Sequence, residues 1–386
     1  MIRLHTCLKK FASLTIPAAL LLCLGCSEAG PDADPLEKIL SAGDPAIVRV
    51  MENPELYELQ IRYTRIFREG DSVRFEVHDF RVDPGQYHYP ASTVKFPIAV
   101  LALEKLGRID SIDRDTRYYV EGDTLEDSFA GDIRAVFAIS DNHANNRLFE
   151  FLGQDAINRG LASRNIGPAR ISHRLGYHRD DTTTRPLVLY RNDSVTAQTL
   201  PIENNPIHRL ELNGIRKGTG YMSGDSLIGK PFDFSLKNYL PLPSLDGILK
   251  RVIFPEAFPA DQRFDLSPDQ RTFLLEAMSR LPREAGYDPE LFPDGYCKFF
   301  MYGDTEERIP ESVRIFNKVG FAYGTLTDCA YITDRENGVE FLLAATLLVN
   351  ENGIFNDDQY EYDEVGIPFL AALGRAVHQY EIQAKK

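Results

Sequence analysis

Three short groups of residues could carry chemistry, and they follow one another along the chain: Ser92-Thr93-Val94-Lys95, Ser140-Asp141-Asn142 and Lys318-Val319-Gly320. A serine hydroxyl attacks a carbonyl poorly until a neighbouring base takes its proton. Lys95, three residues on, shares a helical face with Ser92, and an ammonium that is buried gives up its proton more readily. Pro90 and Ala91 precede an apolar helical run, so Ser92 falls at a helix start. There, unpaired backbone N–H groups and the positive end of the dipole favour a developing oxyanion. Ser140 offers a second hydroxyl. Lys318 lies in a strand-like run, Ile315 to Val319, whose edge can align a substrate by backbone pairing while the ammonium attracts a carboxylate. Together the groups describe acyl transfer through a covalent serine intermediate. Taken singly, the first reads as a capping serine followed by a surface lysine, and the second as a cap between two helices.

The elements that must position these groups can be read from periodicity. A helix is expected from Pro35 to Met51. Glu58 to Arg68 and Val73 to Val82, around Glu69-Gly70-Asp71-Ser72, read as a hairpin. From Ser92 to Leu161 the apolar spacing becomes helical, with Phe96, Ala99, Val100 and Leu103 on one face and Ile133, Val136 and Phe137 on another. Residues 177–245 lose that pattern and read as a long irregular insertion. Helices resume at Ser244 to Val252 and Pro268 to Arg280. Strand-like runs return at Tyr296 to Met301, Val313 to Val319, Thr327 to Thr333 and Val339 to Leu348, before a closing helix from Ile367 to Glu381. Strands at both ends with helices between them imply one discontinuous α/β domain of α+β type. Its antiparallel sheet (36–90 and 296–386) is flanked by helices and carries an inserted helical lobe (91–295).

Pro90-Ala91-Ser92-Thr93-Val94-Lys95-Phe96-Pro97, Ile139-Ser140-Asp141-Asn142-His143-Ala144-Asn145-Asn146 and Lys318-Val319-Gly320 with Thr327-Asp328-Cys329-Ala330-Tyr331-Ile332 resemble the motifs of the penicillin-recognising serine hydrolases. The likeness is to the class A β-lactamase-like family, over residues 36–176 and 244–384. It implies a β-lactamase/transpeptidase-like fold and a small β-lactam or peptidoglycan-like amide as substrate, handled by a monomer without a cofactor. It also implies roles: Ser92 is acylated, the N–H groups of Ser92 and Phe321 form the oxyanion hole, and Lys95 helps deprotonate Ser92. Ser140 relays a proton to the leaving nitrogen, Asn142 holds the substrate amide and Lys95, and Lys318 and Gly320 belong to the substrate-binding strand. The chain departs from the family twice. Val319 stands where a threonine is usual, removing a hydroxyl that would bind the substrate carboxylate. Ala169 to Gly176 resembles the loop that carries the deacylating glutamate, yet contains no Glu. Glu211, in an E-L-N triplet, Glu203, His173 and His178 are the remaining candidates for that base, each equally readable as a solvated or structural side chain.

At 386 residues and 43% apolar content, the chain can bury a sizeable core. Its 43 basic and 57 acidic residues give a formal charge of -14, which repels nucleic acid and anionic headgroups. Arg3, Lys9 and Lys10 followed by the short apolar run Ala18 to Leu24 read as an export signal of residues 1–25. Leu24-Gly25-Cys26 resembles the bacterial lipobox. That implies a lipidated Cys26, a tether over 26–35 and a lipoprotein of the periplasm or outer membrane of a Gram-negative-type bacterium, with plain secretion as the alternative. Cys297 and Cys329 then remain, as a pair or as separate thiols. No zinc spacing occurs, and the acidic run Asn356-Asp357-Asp358 with Glu361 and Asp363 lacks the spacing of a calcium loop, so no metal is expected.

Overall fold

The computed structural model describes residues 34–70, 72–176, 181–192 and 194–385. The leader with Cys26, and His178, lie outside the described residues. The segment expected as one helix is two, α1 (Pro35–Leu40) and α2 (Pro45–Met51). Gly43 turns the chain at a φ of 80°, and Asp44 starts afresh by accepting the Ala46 N–H at 2.9 Å, with Pro45 in the first helical position.

Strands β1 (Gln60–Glu69) and β2 (Ser72–Phe80) form the expected hairpin. The lobe between the two halves of the sheet holds α3 (Lys95–Leu106), strands β3 (Arg117–Val120) and β4 (Glu126–Ser128), and helices α4 (Phe129–Ala138), α5 (Asn142–Leu152) and α6 (Gln154–Ala162). The insertion is not irregular. It contributes β5 (Leu187–Asn192), β6 (Val195–Gln198), β7 (Arg216–Lys217), β8 (Gly220–Ser223), β9 (Ser226–Ile228) and β10 (Phe232–Asp233). Of these, β5 and β6 extend β3 and β4 into a four-stranded sheet, and β7 pairs with β10. Strands of two to six residues are too short for alternation to declare itself.

After α7 (Leu242–Ile253) and α8 (Pro268–Ser279), the run Tyr296 to Met301 is not the expected strand. It is a turn leading into the short helix α9 (Phe299–Tyr302), kinked at Met301 with a φ of 70°. Its Lys298 is buried and bonded to carbonyl and amide oxygens, not to a neighbouring strand. Then come β11 (Val313–Ala322), β12 (Thr325–Asp334), β13 (Val339–Leu348), β14 (Ile354–Phe355), which pairs with β8, and α10 (Ile367–Ala384).

The main sheet has the order β11-β12-β13-β1-β2, and its pairings are antiparallel. One face packs on α1, α2 and α10 through Ile47, Tyr63, Phe341 and Phe369; the other meets the helical lobe through Phe96, Val100, Leu249 and Leu342. This is the expected α+β arrangement. A third cluster, Tyr87, Tyr89, Phe234, Tyr239 and Phe355, seats the insertion on the segment that leads to Ser92. The strand β11, at the open edge of the sheet, comes to lie against the start of α3. Among the described residues no helix is long and apolar enough to cross a membrane.

Candidate active site

The turn Ala91–Val94 winds as a 3₁₀-helix directly into α3, placing Ser92 in the first turn as the sequence requires. Ala91 holds a left-handed φ of 46°, a conformation costing a non-glycine residue roughly 1–2 kcal/mol. Thr93 fastens the turn by donating its N–H and its hydroxyl to the Pro90 carbonyl, at 3.0 and 2.7 Å. Gly320 explains how closely β11 can approach. A Cβ there would sit 2.8 Å from Pro90 O, Ser92 N and Thr93 N, so only glycine lets the strand lie on the backbone of the Ser92 turn.

Ser140 joins the two lysines. It sits between α4 and α5 with a left-handed φ of 57°, while Asp141 caps α5 by accepting the Ala144 N–H at 2.7 Å. Lys95, wholly buried, donates to the Ser140 carbonyl and, at 3.3 Å, to its hydroxyl. Lys318, 2% exposed, donates to the same hydroxyl at 2.8 Å and to the Val319 carbonyl at 2.8 Å. Burial, and then the charge of Lys318, push Lys95 down to about 6, against a smaller opposing pull from Asp141. Burial likewise lowers Lys318 to about 8. Of the two lysines, Lys95 is thus the one whose neutral amine is the more favoured. Among the described residues its hydrogen bonds go to Ser140, with none to Ser92 or Asn142.

The direction of the backbone groups of β11 follows from the ladder. The β11–β12 hairpin turns through Tyr323 and Gly324, both with φ above zero, so Ala322 and Thr325 form the hydrogen-bonded closing pair. Strict alternation then directs the N–H and C=O of Phe321 and Val319 away from β12 to the open edge. The Lys318 bond to Val319 O marks that edge as the one facing the site. Val319 turns its side chain into the core on the far face of the sheet. The hydroxyl missing there is thus replaced by packing.

Behind the strand lies a network that motif reading missed. Asn317 donates to Asp328 at 2.8 Å and to Cys297 O at 2.9 Å, and accepts from Lys298 at 2.7 Å. Lys298 also donates to Met278 O at 2.7 Å. A carboxylate inside an apolar strand, Thr327-Asp328-Cys329, was the available signal. Cys297 and Cys329 are both free and buried, and burial raises both thiols.

The remaining candidates disperse. Asn142 is exposed at the start of α5. Asn146 exchanges two hydrogen bonds with the Leu175 backbone, at 2.7 and 2.9 Å, and Gly176 lies beside the Asn142 amide. The loop that would bring a glutamate to the site thus brings Leu175 and Gly176. Arg174 anchors that loop through a bidentate pair with buried Glu150, at 2.6 and 2.7 Å. His173 is spent locally: one ring nitrogen lies 2.7 Å from Arg174 O, and the other accepts the Asn238 N–H at 3.2 Å. Glu203 is exposed beside Thr183 and the start of α6, at the end of the eleven-residue α5 remote from Asn142. Glu211 is exposed in a surface groove with Arg209 and Asn213. Neither glutamate bonds to Ser92, Lys95 or Ser140. In the acidic run, Asp357 accepts from Asn352 and Gln359, and Glu361 from the Glu351 N–H.

The model of a family described as the beta-lactamase enzyme family matches residues 71–198. A class A β-lactamase representative from Bacteroides cellulosilyticus has a TM-score of 0.53 at 14% identity, covering 91% of this chain and 100% of that one. A class A β-lactamase from Mycobacterium abscessus has a TM-score of 0.51 at 15% identity, covering 87% and 98%. A protein named PBP-A has a TM-score of 0.50 at 15% identity, covering 89% and 94%. No curated protein matches the sequence. Residues 71–198 match the model of that family, and the chain shares the fold of the class A β-lactamases to which it is similar.

Proposed function

We propose that this protein is a serine hydrolase that forms an acyl-enzyme on Ser92, with β-lactams as the leading substrate class. The observation that carries the reading is the convergence of two buried lysines on the Ser140 hydroxyl, beside a serine at a helix start. The Ser92 oxygen attacks the substrate carbonyl and its proton passes to the neutral Lys95. Catalytic hydrogen bonds often close only as substrate binds, so the absence of a Lys95–Ser92 bond beforehand is compatible with this step. The oxyanion is held by the N–H groups of Ser92 and Phe321. The proton then travels through Ser140 to the leaving nitrogen as the C–N bond breaks, while Lys318 fixes that hydroxyl and supplies positive charge. With Leu175 in the loop, Lys95 is, among the described residues, the base left to activate water for deacylation.

One observation favours a second reading: the same Leu175 leaves the acyl-enzyme without a loop carboxylate, which suits a peptide or ester hydrolase with poor β-lactam turnover, or a protein that traps its adduct. Intact mass spectrometry alongside hydrolysis of a chromogenic cephalosporin separates these. Steady turnover abolished by Ser92→Ala supports the β-lactamase reading, a persistent adduct supports trapping, and no adduct removes β-lactams from the substrate list. We also propose export and lipidation at Cys26. Transfer of the protein from the membrane to the soluble fraction in Cys26→Ser is the expected result, and unchanged partitioning would overturn it.

A further inference from the structure

A cavity of about 290 Å³ lies where the insertion covers the ends of α3 and α5, and no residue of the three motifs lines it. Its size is near the lower end of the roughly 300–1,000 Å³ usual for small-molecule sites. One wall is a face of the β5–β6 hairpin. Leu187 and Leu189, two residues apart on β5, turn their side chains to the same side, and Leu189 is paired with Ala197 on β6. Facing them is Phe151, near the end of α5. An apolar hollow with a few polar groups converging on it is the usual form of a ligand site.

Two cations reach this apolar space without an acid to match them. Lys105, in the last turn of α3, holds its ammonium 4.2 Å from the centre of the Phe151 ring and donates to the Phe151 carbonyl. That bond uses one of its three N–H groups. Arg191 lines the cavity as well, and among the described residues neither cation forms a salt bridge. Burial pushes the Lys105 ammonium below the usual lysine range, and no acidic side chain offsets it. The carboxylate in the lining, Glu150, is already committed: it takes the bidentate pair from Arg174 at 2.6 and 2.7 Å and the Arg185 backbone N–H at 2.9 Å.

We infer that this cavity binds a medium-chain monocarboxylate, with the hydrocarbon chain against Leu187, Leu189 and Phe151 and the carboxylate at Lys105 and Arg191. The walls call for an apolar body, and two unmatched cations beside a neutralised Glu150 call for an anionic head. At roughly 30 Å³ per non-hydrogen atom, the share of a molecule in liquid water, the space holds about ten such atoms, the size of octanoate. The site takes nothing from the acyl-transfer residues, so it stands or falls apart from the serine chemistry.

The test is isothermal titration calorimetry with hexanoate, octanoate and 1-octanol as probes. A single saturable site is expected, with octanoate bound about 15-fold more tightly than hexanoate, the product of two buried CH₂ groups. Octanoate should also exceed 1-octanol by at least ~10-fold, the scale of a hydrogen bond to a charged group. Lys105→Met keeps the length of the side chain and loses its charge, so it should bring the octanoate-to-octanol ratio toward one. Arg191→Gln, at an exposed position, should lower that ratio with no demand on folding. Ala197→Phe fills the cavity from the edge strand β6 and should abolish the binding of both probes. Ser92→Ala should bind octanoate unchanged. The inference is overturned by the absence of saturable octanoate binding, by octanol that binds as tightly as octanoate, or by affinity that neither Lys105→Met nor Ala197→Phe moves. Octanoate binding lost in Ser92→Ala would place the probe at the active site and overturn it too.

Discussion

The two faces of β11 each meet a buried lysine, and the two are treated differently. On the far face, Lys298 donates to Met278 O and Asn317 Oδ1, and Asn317 in turn bonds to Asp328, so the ammonium has fixed acceptors and a carboxylate nearby. On the near face, Lys318 and Lys95 share one serine hydroxyl and two carbonyls, and the carboxylates whose charges they feel, Asp328 at Lys318 and Asp141 at Lys95, are committed elsewhere, Asp328 to Asn317 and Asp141 to capping α5. Burial lowers Lys298 and Lys318 alike, each to about 8. What distinguishes the pairs is whether the surroundings satisfy the charge. A satisfied buried ammonium fixes the fold, whereas two that crowd each other around a hydroxyl are left available for proton transfer.

That contrast can be broken from the structural side first. Asp328→Ala removes the acceptor of Asn317 and of the Phe300 N–H and strands the charge of Lys298; it should cost roughly 3–5 kcal/mol in urea unfolding. A loss below 1 kcal/mol would mean that the far-face network is dispensable. On the near face, Lys95→Met should slow acylation by ~100-fold or more, the usual scale for a positioned acid-base group. Its unfolding midpoint should be unchanged or higher, because an amine without a carboxylate partner is replaced by an apolar chain of similar length. Lys298→Met is the matched control, expected to unfold earlier. Identical effects of the two methionine variants would erase the distinction.

Gly320→Ala sharpens the comparison at the point where the two faces meet the nucleophile. The new methyl would press on three backbone atoms of the Pro90–Thr93 turn, none of which can swing aside. A displacement of the order of 1 Å in a reacting geometry costs up to ~100-fold. We expect kcat to fall by ~10–100-fold, with the loss read in single-turnover acylation, while the protein remains folded by circular dichroism. Wild-type acylation in this variant would show that β11 does not need to touch the turn.

The sequence made the near face legible and left the far face unread, for a physical reason. Ser92, Lys95, Ser140 and Lys318 are reported by spacing within helix starts and strand runs, and spacing survives without knowledge of the fold. The lysine at 298 lay inside Tyr296 to Met301, an apolar run that resembles a strand; only the register of Val319 opposite Asp328 reveals that a charged group faces the interior there. The antiparallel sheet and helical lobe were legible because their strands and helices are ten or so residues long. The insertion was not, since its strands gain their pairing from β3, β14 and the aromatic cluster around Phe234, partners distant in the chain. The Leu175 contact with Asn146 was equally hidden: the missing loop glutamate could be noticed, but not what replaced it.

The mildest probe is pH, and it reads the crowding on the near face directly. Lys95 acts as a base only when neutral, so the acylation rate should climb as pH rises through about 6 and fall by about tenfold per unit below it. An unperturbed lysine would place that limb near 10.5. Lys318 contributes as a cation, so the rate should decline again as pH rises through about 8. The two ammonium groups interact, and the limbs belong to the pair. Their coupling has a sign that can be tested. Because the Lys318 charge is one of the two causes lowering Lys95, Lys318→Ala should move the ascending limb to higher pH while reducing the maximum. A limb that stays near 6 in that variant would assign the whole depression to burial, and a wild-type limb near 10 would remove Lys95 as the base.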